Sequence, residues 1–497
     1  MTQILESLDF QKLIELLKYN PQQPLLFNTA LFFGLFMAFM IIYECLRGKR
    51  VLKMVATIAF SLYFYYKSSA ECCFILFGIC ISDYLLGLWI GNSRAGWVRR
   101  LIVMLNLTVN IGMLVYFKYF NLLAQSWANF TGGSFDTWDI ILPAGISFFT
   151  FRSISYIVDL YRRDLEPERN FLNYTFFLTF FPPLLAGPVV RAKDMLPQIK
   201  QNPVATTQMV GEGLFLIMTG LIKKVIVADY ISGNFVNRIF DNPSLYSGFE
   251  NLMGCIGFTI QLYCDFSGYS DMAIGLALLM GYRFKENFRA PFKAQNPSEF
   301  WHRWHISLST WLRDYVYIPL GGSRCSKFRT YLNNFLTMLI GGLWHGASWM
   351  YLLCGAYHGL LLVLHKAFRN LYTLPEPLKG SMLVKAANVA VTFCLIVIGF
   401  AIFRADSIET LQMMGTQIFN DFHASVAPQF IQSYMLIMLA IIAALLMHYS
   451  PSRWTTGLSE AYSSVSVLWQ GLFLALVIFL VIQASNSELV PFFYLQY

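Results

Sequence analysis

The sequence predicts an all-α, polytopic transmembrane protein, and three observations carry that expectation. Of 497 residues, 56% are hydrophobic and only 13% charged, whereas soluble domains carry about 25% charged residues. Eleven to thirteen stretches approach the ~20 largely apolar residues that a spanning helix needs. Between them the loop charge alternates, as it does where successive loops face opposite sides of a membrane. A chain this apolar cannot hide its surface from water, so a lipid bilayer is the partner that composition demands. The net charge of +8 is modest for a nucleic-acid binder, and nucleic acid is not an expected partner.

Residues 1–24 come first. Ile4, Leu5, Leu8, Leu13, Ile14 and Leu17 alternate with charges there, a pattern suited to a helix lying at the membrane surface rather than to a secretory signal. The clearest spans are then 25–43, 101–117, 171–190, 347–364, 386–403 and 465–484. Shorter or interrupted ones lie at 51–66, 72–90, 140–158, 213–228, 252–281, 331–344 and 434–447. Arg47, Lys49, Arg50 and Lys53 follow the first span, Arg94, Arg99 and Arg100 the third, and Arg162, Arg163 and Arg169 the fifth. Residues 121–139 hold no Lys or Arg. The odd-numbered exits are therefore expected in the cytoplasm and the N-terminus outside. The span 171–190 holds Pro182-Pro183 and Gly187-Pro188. Proline removes a backbone donor and breaks a helix, which in a membrane survives only when packed in protein or lining a cavity. No repeat divides the chain, so 1–497 reads as one membrane domain, with 404–433 outside the membrane and 434–497 as C-terminal helices.

The residues that suggest chemistry lie between 283 and 345. From Arg283 to Arg329, nine basic residues face three acidic ones, a net +6. Such a stretch belongs at the cytoplasmic face, where it would attract a phosphate-rich donor such as a coenzyme A thioester; plain positive-inside anchoring explains the charge equally well. Within it FWHRWHISLSTWLRDY reads as one helix with Ser298 as N-cap. That helix puts His305 and Ser309 on one face, inside an aromatic surface that includes Trp304. After Arg329 the chain turns apolar and reaches Trp344 and His345. An unbroken helix from Tyr331 would carry His345 about 21 Å inward, past the middle of a ~30 Å hydrocarbon core. An ionisable residue at such depth is a functional candidate, and imidazole suits proton transfer near neutrality; a structural histidine bridging two helices is the equal alternative. His302 and His305 lack a third ligand, so no metal site is expected. His358 and His365, seven apart, share a face and read as packing residues. Asp265 and Asp271, in an apolar span, must be paired, protonated or wetted, as a structural knot or as the lining of a reaction chamber. No G-x-S-x-G elbow and no Walker A loop occurs.

Longer strings then fall into order: LPAGISFFTF with SISYIVDLYR, FFPPLLAGPVVR, YCDFSGYSDMAIGLA, FWHRWHISLSTWLRDYVYIPLGG and GGLWHGASW, together spanning most of 140–360. On these strings the chain resembles the membrane-bound O-acyltransferase family, and within it the branch that acetylates alginate and other bacterial polysaccharides. The resemblance implies tilted helices enclosing a funnel or tunnel, with 140–360 as the catalytic core. It places the family's invariant histidine on His345 and its second, more variably required polar position on His305. Trp304, Ser309, Asp265, Asp271 and Trp344 are candidate lining residues read from the sequence itself. It further implies acetyl-CoA or an acyl carrier protein as donor substrate and no permanently bound cofactor. A polysaccharide acceptor, an extracytoplasmic acyltransferase partner and a place in the bacterial inner membrane complete the expectation. D-alanyl transfer from a carrier protein and transport of a lipid-linked glycan are the alternatives.

Overall fold

Long apolar runs leave a backbone in lipid no hydrogen-bond partner except itself, and the chain answers with helices. The computed structural model describes residues 10–21, 23–371 and 380–484, and among them every regular element is a helix. Among the described residues, five helical runs are long and apolar enough to cross a membrane: Arg50–Asn92, Gly96–Thr131, Trp349–Arg369, Met382–Arg404 and Val467–Ala484. A sixth arises if Ala424–Ser433 and Met435–Tyr449, bent by 92°, count together. The count is lower than the number of apolar stretches for visible reasons. Arg50–Asn92 contains two of them, joined through the turn Ala70–Cys72. The stretch 171–190 is helical only over Phe171–Thr179. At the N-terminus the described part of the expected surface helix is Phe10–Leu17, with Ile14 and Leu16 exposed; Ile4, Leu5 and Leu8 lie outside the described residues.

The chain divides into two compact units, Met1–Ala186 with Val190–Val204 and Gly187–Val189 with Ala205–Tyr497. The first is organised around buried polar groups. Asp83 accepts hydrogen bonds of 2.8 Å from Asn106 Nδ2, Ser153 Oγ and Tyr174 OH, so one carboxylate ties four helices. Arg152 explains how the proline-broken stretch survives burial. Pro182 has no N–H to offer the carbonyl of Leu178, and the Arg152 guanidinium donates to that oxygen instead at 3.2 Å. It also reaches the carbonyl of Pro183. The freed segment then turns Phe181 into a ring cluster with Phe27, Phe32, Phe36, Phe39, Phe60 and Phe64, at centroid distances from 5.1 to 6.4 Å.

The second unit is built on one long helix, Gly248–Leu279, opened by a capping box between Ser247 and Glu250. Thr207–Leu221 runs antiparallel to it at close range. A Cβ at Gly213 would lie 2.8 Å from the carbonyl oxygen of Gly275, and one at Gly220 would lie 2.6 Å from that of Gly268. Small residues at both levels let the backbones meet, as membrane helices often require. The same device pairs Lys327–His345 with Trp349–Leu371, where a Cβ at Gly342 would sit 2.4 Å from the Tyr351 carbonyl oxygen. This contact lies one turn before His345, so it fixes where that histidine is presented. Gly342→Val should therefore force the two helices apart at a cost of about 1–3 kcal/mol or more. We expect a lower thermal midpoint in detergent together with loss of turnover; an unchanged midpoint would show that the pair has room to spare.

Candidate functional site

The segment expected to form one helix from Ser298 onward forms two. Pro297–Arg303 begins at Asn296, whose side chain accepts from the Glu299 N–H at 2.9 Å. With Pro297 at the first helical position, where its missing N–H costs nothing, the cap is Asn296 and not Ser298. The helix stops at Trp304, and a second, Ile306–Leu312, starts after His305. His305 itself has φ +42° and ψ 55°, a left-handed conformation that disfavours an L-residue by about 1–2 kcal/mol. The expected same-face relation of His305 and Ser309 therefore lapses. Ser309 Oγ instead donates to the Trp304 carbonyl at 3.2 Å, covering an oxygen left open by the break.

Asn287, in the loop before these helices, holds the break in place. Its carbonyl oxygen accepts from Ser307 N–H at 3.1 Å and Ser307 Oγ at 2.8 Å, and lies 3.2 Å from His305 Nδ1. Its Nδ2 donates to Ser270 Oγ at 3.2 Å, and its main-chain oxygen accepts from Ile306 N–H at 2.9 Å. The Ser307 N–H can only donate, so it fixes which end of the amide faces His305. An oxygen can only accept, so the network assigns the proton to Nδ1 and the lone pair to Nε2. His305 is fully buried, and its Nε2 has no hydrogen-bond partner among the described residues.

Aromatic rings surround this imidazole and connect it to the second one. Phe266 stands edge-on at 4.5 Å, and the Trp344 ring lies 5.8 Å away. Trp344 in turn packs 4.9 Å from His345, which meets Phe403 at 5.1 Å. The helix Lys327–His345 runs unbroken to its last residue despite Gly341 and Gly342. His345 is half-buried while Trp344 and His305 are buried. Burial first, and then the charge of His345, hold His305 well below the usual histidine range. Trp344 thus packs against both imidazoles. Trp304 is buried beside this pair, stacked on Phe300 and 4.9 Å from Phe400.

Asp265 and Asp271 are held by lysines that the sequence reading passed over. Lys224 Nζ lies 2.6 Å from Asp265 and 2.7 Å from Asp229, and Lys223 Nζ lies 2.7 Å from Asp271. The wide π-helical turns of Ile222–Asp229 bring two consecutive lysines to the neighbouring helix. Their signal was present: two cations and two anions in apolar runs have to find each other. Asn287, Ser307 and Ser270 gave no such signal, because 287 and 307 are joined only by folding. In the basic stretch, the three acids each pair with an arginine: Glu286 with Arg289, Glu299 with Arg303 and Asp314 with Arg313.

Comparison with known sequences identifies the family. The sequence pattern of the membrane-bound O-acyltransferase family matches residues 95–403. A protein of Pseudomonas aeruginosa named probable alginate O-acetylase AlgI is 40% identical over 402 residues, covering 80% of this chain and 75% of its own. A peptidoglycan O-acetyltransferase of Helicobacter pylori is 33% identical over 422 residues, covering 78% of each chain. A teichoic acid D-alanyltransferase of Bacillus subtilis is 29% identical over 279 residues, 53% of this chain and 69% of its own.

Two outcomes test the Asn287 network. Asn287→Ala frees the His305 ring and should lower turnover about 10- to 100-fold, the scale of an ångström's misplacement. Asn287→Asp keeps the acceptor and should retain more activity; equal loss in both would remove the orienting role. The pH dependence of stability has a definite sign. The folded state holds the His305 imidazole neutral, so the unfolded chain binds more protons as the pH falls through about 6.5. Thermal stability in detergent should therefore fall below that pH, and less steeply in His305→Gln.

Proposed function

Because the chain belongs to the membrane-bound O-acyltransferase family, we propose that this multi-pass membrane enzyme carries an acetyl group across the bacterial inner membrane. The donor is a cytoplasmic thioester, acetyl-CoA, and the purpose is O-acetylation of an exported polysaccharide such as alginate. The observation that carries the reading is the pair of unlike imidazoles on either side of Trp344, one sealed with a fixed tautomer and one half-buried at a helix end. A thioester carbonyl near His345 would be attacked by an acceptor hydroxyl. The hydroxyl proton moves to His345, the new C–O bond forms, the C–S bond breaks, and the thiolate leaves with that proton as free coenzyme A. His305 acts beside it: its lone pair at Nε2 accepts a hydrogen bond and orients the reactants, and its low basicity keeps it from retaining the proton. Trp304, Trp344 and Ser309 shape the surroundings of the pair, while Asp265 and Asp271 keep the helix that carries Phe266 and Ser270 in register.

The basic stretch that begins before these helices supports a phosphate-bearing donor at the cytoplasmic face. An extracytoplasmic acyltransferase would receive the acetyl group and deliver it to the glycan. The test is release of coenzyme A from radiolabelled acetyl-CoA by the full chain in proteoliposomes. His345→Ala should lose about 10²- to 10⁴-fold, the usual share of a general base, with label reaching an extracytoplasmic acceptor only in the wild type. Undiminished turnover by His345→Ala would sink the assignment. Turnover of a D-alanyl carrier protein in place of acetyl-CoA would shift the reading to D-alanyl transfer.

A further inference from the structure

One buried acid in the first unit has no charged counterpart. Asp83 stands at the midpoint of Cys73–Asn92, about 15 Å from either end of that helix, and is fully buried. Its carboxylate meets neutral donors only. Asn106 Nδ2 and Ser153 Oγ donate to Oδ1 and the Tyr174 hydroxyl to Oδ2, each at 2.8 Å. Among the described residues no lysine, arginine or histidine forms an ion pair with it. Two arginines buried in the same unit are committed to main-chain oxygens. Arg99 donates to the carbonyls of Ile90, Leu160 and Tyr161, and Arg152 to those of Leu178 and Pro183. Asp265 of the second unit has Lys224; Asp83 has no such neighbour.

Neutral donors fill the lone pairs of a carboxylate without cancelling its charge, and an isolated charge in an apolar interior is costly. The atoms around Asp83 show what kind of group is missing. The side-chain oxygens of Asn106 and Asn110 are buried and accept from nothing among the described residues. These two asparagines are four apart on Gly96–Leu114, hence on one face. Both direct Nδ2 to Ser153 Oγ, at 3.3 and 2.9 Å, so each orphan oxygen shares a carbon with a nitrogen that touches the cluster. The cluster therefore holds one negative charge and a surplus of acceptors. A proton fits it poorly: all three contacts of the carboxyl group donate to it, and an acid O–H finds no acceptor among them.

We propose that Asp83, Asn106, Asn110 and Ser153 form a binding site for one sodium ion, with the Tyr174 hydroxyl beside it. Carboxylate, amide and hydroxyl oxygens are the ligands that hard cations take. One carboxylate balances one charge, whereas a divalent ion would leave a positive charge stranded in the same interior. The spacing favours a small ion. Asp83 Oδ1, Ser153 Oγ and the Asn106 amide are 2.8, 2.8 and 3.3 Å from one another. The Asn106 amide presents its oxygen to the same point by a half-turn about its last torsion, with little change of shape. Close packing excludes a hydrated or organic cation: one turn beyond Asp83, a Cβ at Gly87 would lie 2.8 Å from the Tyr156 hydroxyl. The ion would bind together Cys73–Asn92, Gly96–Leu114 and Ile146–Arg162. The site is independent of the acyl-transfer reading.

Thermal midpoints and binding of radiolabelled sodium, both on the full detergent-solubilised chain, test the site. With ionic strength held constant by choline chloride, sodium should raise the midpoint saturably, by about 3–6 °C at ten times its dissociation constant. One ion should bind per chain, and potassium should do less. Asp83→Asn keeps the size of the side chain and removes the charge. It should abolish sodium binding and the sodium-dependent rise, yet be at least as stable as wild type in choline. Ser153→Ala leaves the charge in place and should raise the sodium dissociation constant about 10-fold, the scale of one lost polar contact; it decides the matter if Asp83→Asn does not fold. A wild-type midpoint that sodium moves no more than choline does overturns the site. So does a sodium-dependent rise that persists undiminished in either variant, since the ion then binds elsewhere. A wild-type midpoint that rises on acidification alone, with no response to sodium, assigns a proton to Asp83 and overturns the site as well.

Discussion

The carbonyl oxygen of Asn287 is the point on which the site depends. A left-handed residue between two helices is an unstable joint, since each helix would gain by extending through it. The joint persists because one acceptor gathers donors from both sides of it: the Nδ1 of His305, and the N–H and hydroxyl of Ser307. The same amide is anchored behind by Ser270 on Gly248–Leu279. Ring orientation, tautomer and backbone conformation at His305 are thus three results of one hydrogen-bonded oxygen. The long helix in turn is fixed by glycine contacts with Thr207–Leu221 and by the lysine pairs of the π-helical turns.

Those lysine pairs illustrate a general constraint on interiors of this kind. Removing an ammonium and a carboxylate from water costs several kcal/mol per ion, and their attraction returns roughly that much. Their value lies in specificity. Lys224 between Asp229 and Asp265 leaves no other register in which the two helices could meet without stranding a charge. Arg152 works similarly in the first unit, where a guanidinium replaces the donor that Pro182 lacks. In both places a polar side chain allows the backbone a shape that apolar packing alone would not hold.

This division explains which features could be read from the sequence. Apolar length and loop charge reveal helices and a membrane, and a histidine at the end of an apolar run stands out by position alone. His345 closes its helix as the 14-residue run from Tyr331 implies. Local patterns also foretell the break near Pro182-Pro183, because the cause is in the residues themselves. The break at His305 is different. Nothing in WHRWHIS forbids a helix, and the reason it stops is an asparagine eighteen residues earlier in a loop. The same holds for the cap: Ser298 and Asn296 are both good caps, and the choice falls to Asn296 because Pro297 favours the first helical position. The acids at 265 and 271 were legible as a demand for partners, but the partners lie on another helix whose π-turns no periodicity announces.

The contrast between the two histidines follows from their surroundings. The proposed base must tolerate charge and be reachable, and His345, half-buried at a helix end, is the more open of the two imidazoles. His305 meets neither. Sealed among Phe266, Phe288 and Trp344, it would have to accept a positive charge out of water, and a second imidazole nearby makes that worse. What a sealed, neutral, correctly oriented ring does well is hold one lone pair in one direction. The proposed reaction asks for one reachable imidazole and one fixed acceptor. It needs the fixed member to stay fixed, and that requirement leads back through Ser307 and Ser270 to the amide of Asn287.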